Sequence, residues 1–239
     1  MEVAEVQGAF PEMECLVFPK DDYPAFWRML SHLRNRFAKT AISEEDSLRL
    51  QSIRNSGTSP EPAGGDSLND FLRQAEGRLT FVLGKPTEDP RAFELLHKTN
   101  QFNLNGKRYD ETAWSKFLKD TQTCLVTVSY QDKFGKLGKI AVLTGRPEAK
   151  KFVVESWVMS CRAFSRRIEF HCLQYLFEKF AGDEIVFELQ TTNRNGPLME
   201  FLQQVVDGPV EGNPQLSRSS FLRKAPKMPH YVEEVSVVG

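Results

Sequence analysis

The sequence lacks the features that mark a membrane protein or a nucleic-acid-binding protein. No apolar run approaches the roughly 20 residues that a membrane-spanning helix needs. The first ten residues, MEVAEVQGAF, contain acids where a secretory signal would carry basic residues. The 31 basic and 32 acidic side chains nearly cancel, to a net charge of −1, which gives no overall field to attract nucleic acid or an anionic membrane. We therefore expect a cytoplasmic protein that binds neither.

Cysteine is scarce, and its spacing argues against disulfides and metal binding. The four cysteines, Cys15, Cys124, Cys161 and Cys172, are far apart and form no CxxC pair. This pattern favours free thiols and gives no support for a zinc site. We therefore predict free cysteines and no metal site.

The most informative stretch of the chain runs from residue 151 to residue 180. It opens with KFVVESWV, which is rich in β-branched and aromatic side chains and predicts a buried strand. From Phe164 to Phe180 apolar residues recur at every fourth position, which predicts a helix with one face buried against a sheet. A strand that runs into a helix leaves unpaired backbone N–H groups at the start of that helix, where anions such as phosphate are favoured.

The order of predicted elements indicates the fold class. From residue 78 the order is strand, helix, helix, three strands, helix, strand, helix, strand, with the last strand at Ser219–Leu222. Three strands at hairpin spacing must be antiparallel, whereas the strand–helix–strand crossover makes one neighbouring pair parallel. The sequence therefore predicts an α/β (α+β) fold with a mixed, mostly antiparallel sheet flanked by helices.

Composition divides the chain into four parts. Residues 1–55 form a small N-terminal extension with short helices, one of them around residues 25–37, and an apolar run that could form a strand. The sequence SGTSPEPAGGD at residues 56–66 is typical of a flexible linker. Residues 67–225 carry the predicted sheet, and residues 226–239 form a tail for which no structure is predicted.

Two motifs resemble a known protein family. Residues 98–104, KTNQFNL, are followed by Arg108 and Tyr109, and residues 157–162 read WVMSCR. Both are similar to the C-terminal half of FkbH-like proteins, which combine a haloacid-dehalogenase-like phosphatase domain with an acyltransferase-like domain of the GNAT fold. Segments similar to hairpin and loop segments of that family also occur at Asp132–Gly135 and Asn193–Pro197.

The resemblance covers about residues 1–205 and implies a function with its partners. It implies that residues 67–225 form a GNAT-like acyltransferase domain that passes a glyceryl or similar three-carbon acyl unit, derived from bisphosphoglycerate, to an acyl carrier protein. The product would serve polyketide or similar secondary metabolism. The bound group would be the phosphopantetheine arm of the carrier, with coenzyme A as an alternative. Residues 1–55 resemble the end of the phosphatase domain, so a phosphatase domain of the same or a larger protein is a further expected partner.

The sequence departs from the family pattern at two places. No DxDxT-type motif for a phosphatase nucleophile occurs in the chain, so phosphatase chemistry is not expected. The GNAT pyrophosphate loop reads Arg or Gln, two residues, Gly, one residue, Gly or Ala, and here that frame is Arg162-Ala-Phe-Ser165-Arg166-Arg167. Because glycine lets a backbone approach phosphates closely, the loss of both glycines argues against ordinary acetyl-CoA binding. An arm with a single phosphate remains compatible.

Cys161 and His97 are the candidate catalytic residues. Cys161 follows the strand beside Arg162 and near a helix N-terminus, two features that favour the thiolate, so it could hold the acyl group as a thioester. Alternatively, it fills the strand-to-helix corner as a small buried residue. His97 precedes the KTNQF loop, where it could act as a general base, or it could simply end a helix. His171 lies one residue off the apolar stripe of its helix and is expected to be at the surface or partly packed.

The candidate binding residues lie in three polar segments. Amide and hydroxyl groups in the loop after His97 could orient an amide-rich arm or a polyol acyl group, or could cap the loop itself. Asparagines after a strand end favour ligand contact, or one of them could cap the next helix. The arginines after Cys161 could contact phosphate or lie on a solvated helix face. The predicted binding residues are Thr99, Asn100, Gln101, Asn103, Trp157, Ser160, Arg162, Ser165, Arg166, Arg167, Asn193 and Asn195.

Two other functions fit the same predicted fold. The first is a catalytically inactive module that docks a carrier protein or serves a structural role, and the altered positions at Ser165 and Arg167 fit it better than they fit a CoA enzyme. The second is a plain CoA-dependent N-acyltransferase, which requires measurable affinity for coenzyme A.

Overall fold

A computed structural model describes residues 2–37, 65–86, 89–99, 101–180 and 182–236. The helices are α1 (Glu2–Ala9), α2 (Tyr23–Phe37), α3 (Gly65–Ala75), α4 (Pro90–Lys98), α5 (Glu111–Lys119), α6 (Ile168–Lys179), α7 (Gly196–Val205) and α8 (Arg218–Lys224). The strands are β1 (Arg78–Leu83), β2 (Phe102–Asn103), β3 (Cys124–Asp132), β4 (Gly135–Pro147), β5 (Lys151–Met159), β6 (Glu184–Phe187), β7 (Gln215–Ser217) and β8 (Tyr231–Ser236). A 3₁₀ turn at Cys161–Ala163 follows β5.

The chain divides into two units, Met1–Asp46 and Ser47–Gly239. In the described part of the first unit, α1 and α2 are joined by irregular backbone, and none of residues 3–37 is buried. The helix predicted around residues 25–37 is confirmed as α2. The predicted linker lies outside the described residues except for its last two positions, which already belong to α3.

The second unit is built around one eight-stranded sheet. The strand order is β7-β6-β5-β4-β3-β1-β8, with β2 added beside β5. Neighbours among β1, β3, β4 and β5 are antiparallel, whereas β5 with β6 and β1 with β8 are parallel. Helix α6 makes the crossover between the parallel strands β5 and β6. The predicted mixed, mostly antiparallel sheet flanked by helices is confirmed.

Helices cover both faces of this sheet. On one face α4 and α5 form a core in which Leu95 joins Val142 and Val158. On the other face α6 and α7 form a larger core that includes Leu173 and Met159. Val158 and Met159 belong to different cores because successive side chains of a strand point to opposite faces.

Two aspartates fix the starts of the helices on the first face. The carboxylate of Asp89 accepts a hydrogen bond from the Ala92 N–H at 2.8 Å, and that of Asp110 accepts one from the Ala113 N–H at 2.7 Å. Each aspartate satisfies a backbone donor that the first turn of a helix leaves unpaired. Both helices therefore begin directly after a capping aspartate. Within the described ranges, no helix combines the length and apolarity that crossing a membrane requires.

The C-terminal region differs from its prediction in two respects. The strand predicted at Ser219–Leu222 is wrong, because these residues lie in α8, where the Ser217 hydroxyl accepts a hydrogen bond from the Ser220 N–H at 3.3 Å. The tail, for which no structure was predicted, forms β8 and pairs with β1. Every residue of β8 is exposed, and its sequence, YVEEVS, does not alternate between apolar and polar side chains as a half-buried strand would.

Candidate functional site

The site lies where β5 and β6 stop pairing. Their parallel ladder ends at Val154 and Phe187. The register between β5 and β4 also shifts there, because Glu155 is an extra residue opposite the step from Thr144 to Gly145. Strand β5 continues beyond this bulge while β6 ends, so a gap opens between them.

Residues 102–105 fill this gap. Strand β2 pairs antiparallel with the last two residues of β5. The Leu104 N–H then donates to the Trp157 carbonyl at 2.9 Å, and the Leu104 carbonyl accepts from the Gln190 N–H at 3.1 Å. The segment therefore pairs with β5 on one side and with the chain after β6 on the other.

The side chain of Asn105 joins the two diverging strands directly. Its amide nitrogen donates to the carbonyl of Glu155 at 2.8 Å and to the carbonyl of Glu188 at 3.0 Å. One amide thus satisfies two backbone acceptors that would otherwise face an open gap. The polar loop was predicted to contact a ligand, and here it completes the sheet.

Asn103 and Asn195, two of the predicted binding residues, hold this segment in place. The fully buried Asn195 donates through Nδ2 to the carbonyls of Asn103 at 3.1 Å and Gln190 at 3.0 Å. Its Oδ1 accepts from the Thr192 N–H at 2.9 Å. The Oδ1 of Asn103 accepts from the Gly106 N–H at 2.8 Å. Both side chains are therefore used within the chain, and Asn195 makes no side-chain cap on α7 although it stands at the N-cap position.

The other residues of the polar segments lie in varied surroundings. The Thr99 carbonyl accepts hydrogen bonds from Asn103 Nδ2 at 2.9 Å and from the Arg108 guanidinium at 3.0 Å. The side chains of Gln101 and Asn193 are exposed. The predicted binding residue Asn100 lies outside the described residues.

Trp157, also predicted to bind a ligand, is a core residue. It has no exposed surface and packs against Phe102 and Phe201, with ring centroids 5.1 and 5.7 Å away. Within the described part of the chain its buried indole N–H has no hydrogen-bond partner. Its position in the structure gives it a packing role under the site.

The turn from β5 into α6 has the backbone shape that a glycine-containing loop would have. Ser165 and Arg167 have φ angles of 61° and 57°, in the left-handed region that glycine enters most readily. They stand at the two positions where the family pattern places glycine or alanine. Holding a side-chain-bearing residue in this region costs about 1 kcal/mol or more each. The turn thus adopts this conformation with serine and arginine at the two positions.

Arg162 and Arg166 make contacts within the turn and with the sheet. The Arg166 guanidinium donates to the Arg162 carbonyl at 2.8 Å and lies over the Tyr130 ring, 5.5 Å from its centroid. The Arg162 Nε donates to the Ser160 hydroxyl at 3.4 Å. These contacts stabilise the irregular backbone between strand and helix.

Arg167 connects the turn to distant parts of the same unit. Its guanidinium donates to Asn69 Oδ1 on α3 and to the Lys227 carbonyl in the segment before β8, both at 2.7 Å. These two hydrogen bonds engage the guanidinium that was predicted to meet phosphate.

The two predicted catalytic residues lie on different elements. Cys161 is a free, exposed thiol at the first position of the 3₁₀ turn. His97 lies in the last turn of α4, on the face of the sheet opposite α6, and its Nδ1 donates to the Phe93 carbonyl at 2.9 Å. They form no hydrogen bond with each other in the described structure, so each remains a separate prediction.

A cavity of about 280 Å³ opens beside the turn, between α6 and α7. It is apolar where β2 and β5 end and polar where the two helices face each other. Among the predicted site residues that the structure describes, only Ser165 lines it. The lining residues are Phe102, Met159, Phe164, Ser165, Glu169, Pro197, Glu200, Phe201 and Gln204.

Glu169 is a site residue that the sequence reading missed. It lies in the first turn of α6 and lines the cavity. Its Oε2 atom is fully buried without a hydrogen-bond partner among the described residues. Burial is the main cause that raises the pKa of this carboxyl group. An acid in the first turn of a helix is common because the helix dipole favours it, so no sequence pattern singles out Glu169.

A second buried polar pair lies further along α6. His171 Nε2 and His230 Nδ1 are 3.0 Å apart, and the two side chains are buried. Burial, followed by the charge of His230, lowers the pKa of His171 to about 3. Burial, followed by Arg166 and Arg167, lowers the pKa of His230 to about 4. The expected surface or partly packed position of His171 is thus corrected, because the segment before β8 covers it.

Comparisons with known proteins find similar solved structures only. No family model and no curated protein matches the sequence. The N-acetyltransferase PseH from Campylobacter jejuni is 16% identical with a TM-score of 0.37, and the match covers 58% of this chain and 98% of that one. Spermidine N-acetyltransferase from Vibrio cholerae, solved with CoA and spermine, is 14% identical with a TM-score of 0.38, over 59% and 98% of the two chains.

A third similar structure is the ribosomal-protein-S18-alanine N-acetyltransferase from Escherichia coli. It is 9% identical with a TM-score of 0.34, over 58% of this chain and 90% of that one. All three TM-scores lie below 0.5, so the fold described above rests on the strand order of this chain. The similarity to FkbH-like proteins stays a prediction.

Proposed function

We propose that residues 67–225 form an acyltransferase-like domain that accepts a glyceryl or similar acyl unit and passes it to the phosphopantetheine thiol of an acyl carrier protein. The observation that carries this proposal is the position of the exposed Cys161 thiol. It lies on the same strand-to-helix turn whose residue Ser165 lines the cavity. An exposed thiol beside a cavity suits the transfer of an acyl group from one thiol to another.

The chemistry proposed for Cys161 is thioester exchange. The Cys161 sulfur attacks the acyl carbon of a thioester, the bond between that carbon and the donor sulfur breaks, and the released thiolate takes up the proton. The same step in reverse delivers the acyl unit to the carrier thiol. Cys172 is unsuited to this role because it is buried in the core, which raises the pKa of its thiol.

The cavity suits the arm of a carrier protein in its chemical character. Its inner wall is formed by Phe102, Met159 and Phe201, and its polar groups come from Ser165 and Gln204 among others. A pantetheine arm is a chain with an aliphatic part and several amide and hydroxyl groups. Ligand sites of this kind combine an apolar lining with a few placed polar groups.

The test is mass spectrometry of the full chain after incubation with a glyceryl-loaded carrier protein. We expect a glyceryl adduct on the peptide that contains Cys161. Cys161→Ala should lower the rate of acyl loading at least about 100-fold, because the nucleophile is removed. Cys124→Ala, at a half-buried thiol on β3, is the matched control and should load normally. Full transfer by Cys161→Ala, or an adduct elsewhere in the chain, would contradict the proposal.

A carrier-docking or structural module without catalysis is the second candidate, and the filled gap supports it. Residues 102–105 occupy the space between β5 and β6 that an arm could otherwise enter. Calorimetric titration separates the two functions. Binding of holo carrier protein with no binding of free pantetheine, together with no acyl adduct, would favour docking.

A further inference from the structure

Glu169 lies at the start of α6, where the sequence predicts that an anion such as phosphate is favoured. We propose that its carboxylate fills this anion position, and that the cavity therefore takes the uncharged pantetheine portion of a carrier arm and disfavours coenzyme A, whose diphosphate would lie beside Glu169. The identity of the arm rests on the proposed function, whereas the role of Glu169 rests on its own surroundings.

The first step concerns the end of the helix. Helix α6 begins at Ile168, so Glu169 lies among the backbone N–H groups that have no partner within the helix. The carboxylate accepts a hydrogen bond from its own backbone N–H. The helix dipole favours negative charge at this end. An end that already holds a carboxylate has less to offer to a second anion.

The second step concerns the carboxylate oxygen that faces the cavity. Glu169 lines the cavity, and its buried Oε2 has no hydrogen-bond partner in the described ranges. A buried acceptor without a donor is unfavourable, so a ligand that brings a donor is favoured. The amide N–H and hydroxyl groups of a pantetheine arm are donors of this kind. Phosphate oxygens at neutral pH are acceptors and cannot satisfy it.

The third step concerns the surrounding charge. Glu200 lines the same cavity, and none of the described lining residues is basic. Arg167 lies close enough for its charge to favour the Glu169 carboxylate, but its guanidinium hydrogen-bonds Asn69 and the Lys227 carbonyl. A diphosphate placed beside Glu169 would therefore meet charge of its own sign, which weakens binding.

The experiment compares two probes on the full chain by calorimetry: pantetheine and coenzyme A. The wild type should bind pantetheine at least about tenfold more tightly than coenzyme A. Glu169→Gln keeps the shape of the side chain and removes its charge, and it should bring the two affinities within about threefold of each other, mainly by tightening coenzyme A. Glu178→Gln makes the same change at an exposed position of α6 and should keep the wild-type ratio.

Each result decides the matter in one direction. Coenzyme A binding as tightly as pantetheine to the wild type, an unchanged ratio in Glu169→Gln, or no binding of either probe would overturn the inference. If Glu169→Gln does not fold, Glu200→Gln serves instead, since Glu200 is exposed, and it should narrow the ratio about threefold. Acyl loading of Cys161 without this selectivity leaves the proposed function standing and removes the inference. A preference for pantetheine over coenzyme A without acyl loading of Cys161 leaves the inference standing and removes the proposed function.

Discussion

Asn195 shows how a single buried amide can take over backbone pairing that the sheet leaves undone. It contacts the carbonyl of Asn103, which lies 92 positions earlier in the chain. The sequence predicts both asparagines to be ligand-binding residues. It could not show that their partners belong to the chain itself, because such a contact depends on how distant segments are folded together.

The role of Asn195 predicts a large difference between two neighbouring asparagines. Asn195→Ala leaves buried carbonyls and an N–H without their partner, so the free energy of unfolding should fall by about 3 kcal/mol. Asn193→Ala changes an exposed residue of the same loop and should stay within about 0.5 kcal/mol of the wild type. Urea unfolding at pH 7 measures both. Equal stability of the two variants would show that the Asn195 contacts contribute nothing.

At the scale of elements, β4 and β5 approach each other closely beside the point where β5 and β6 stop pairing. A Cβ atom added to Gly145 would collide with the Val153 carbonyl oxygen and would lie 2.6 Å from the Phe152 ring. The bulge at Glu155 follows directly from this point in the ladder. A side chain at Gly145 is therefore incompatible with the present register.

Gly145→Ala should lower the free energy of unfolding by about 2–3 kcal/mol, because the strands must move apart to admit the methyl group. The matched control is Gly196→Ala at the start of α7, where an added Cβ meets nothing within 4 Å. That change should be neutral or slightly stabilising. Thermal unfolding followed by circular dichroism compares the two, and an unaffected Gly145→Ala variant would refute the packing argument.

Local signals predicted most elements well, and two elements were predicted wrongly for different reasons. The caps at Asp89 and Asp110 are signals of the local kind, because capping is a contact between near neighbours in the chain. The sequence around β2 predicts a polar loop, because a strand of two residues is too short to show an alternation of apolar and polar side chains. The strand predicted at Ser219–Leu222 is wrong because Ser217 caps a helix that includes these residues.

At the scale of the whole unit, the C-terminal segment closes the core through His230. This segment runs from the Lys227 carbonyl, held by Arg167, to β8, whose first residue donates its N–H to the Gly77 carbonyl at 2.9 Å. The sequence does not predict this closure, because β8 is exposed and carries no buried apolar pattern. The buried polar contact between His230 and His171 is the part of the closure that depends on pH.

The histidine pair predicts that acid destabilises the unit. Because the pKa values of His171 and His230 are lowered to about 3 and about 4 in the folded state, the unfolded chain binds protons first as the pH falls below 6.5. The free energy of unfolding should therefore decrease from pH 6.5 toward pH 4, by up to about 1.4 kcal/mol per pH unit for each histidine. Urea unfolding at pH 7, 6 and 5 measures this slope.

His230→Gln is the variant that isolates this effect. It removes one of the two titrating groups while an amide can still hydrogen-bond to His171, so the slope should fall to about half. A slope equal to that of the wild type would assign the acid sensitivity to other groups.

The segment that fills the gap between β5 and β6 also sets a limit on what the cavity can hold. Phe102 belongs to that segment and forms part of the inner wall of the cavity. The wall is thus a paired strand of the same chain, and lengthening the cavity would require breaking hydrogen bonds on both of its sides. This paired strand would therefore limit how far any ligand could reach into the cavity, and the rest of a longer ligand would extend outside it.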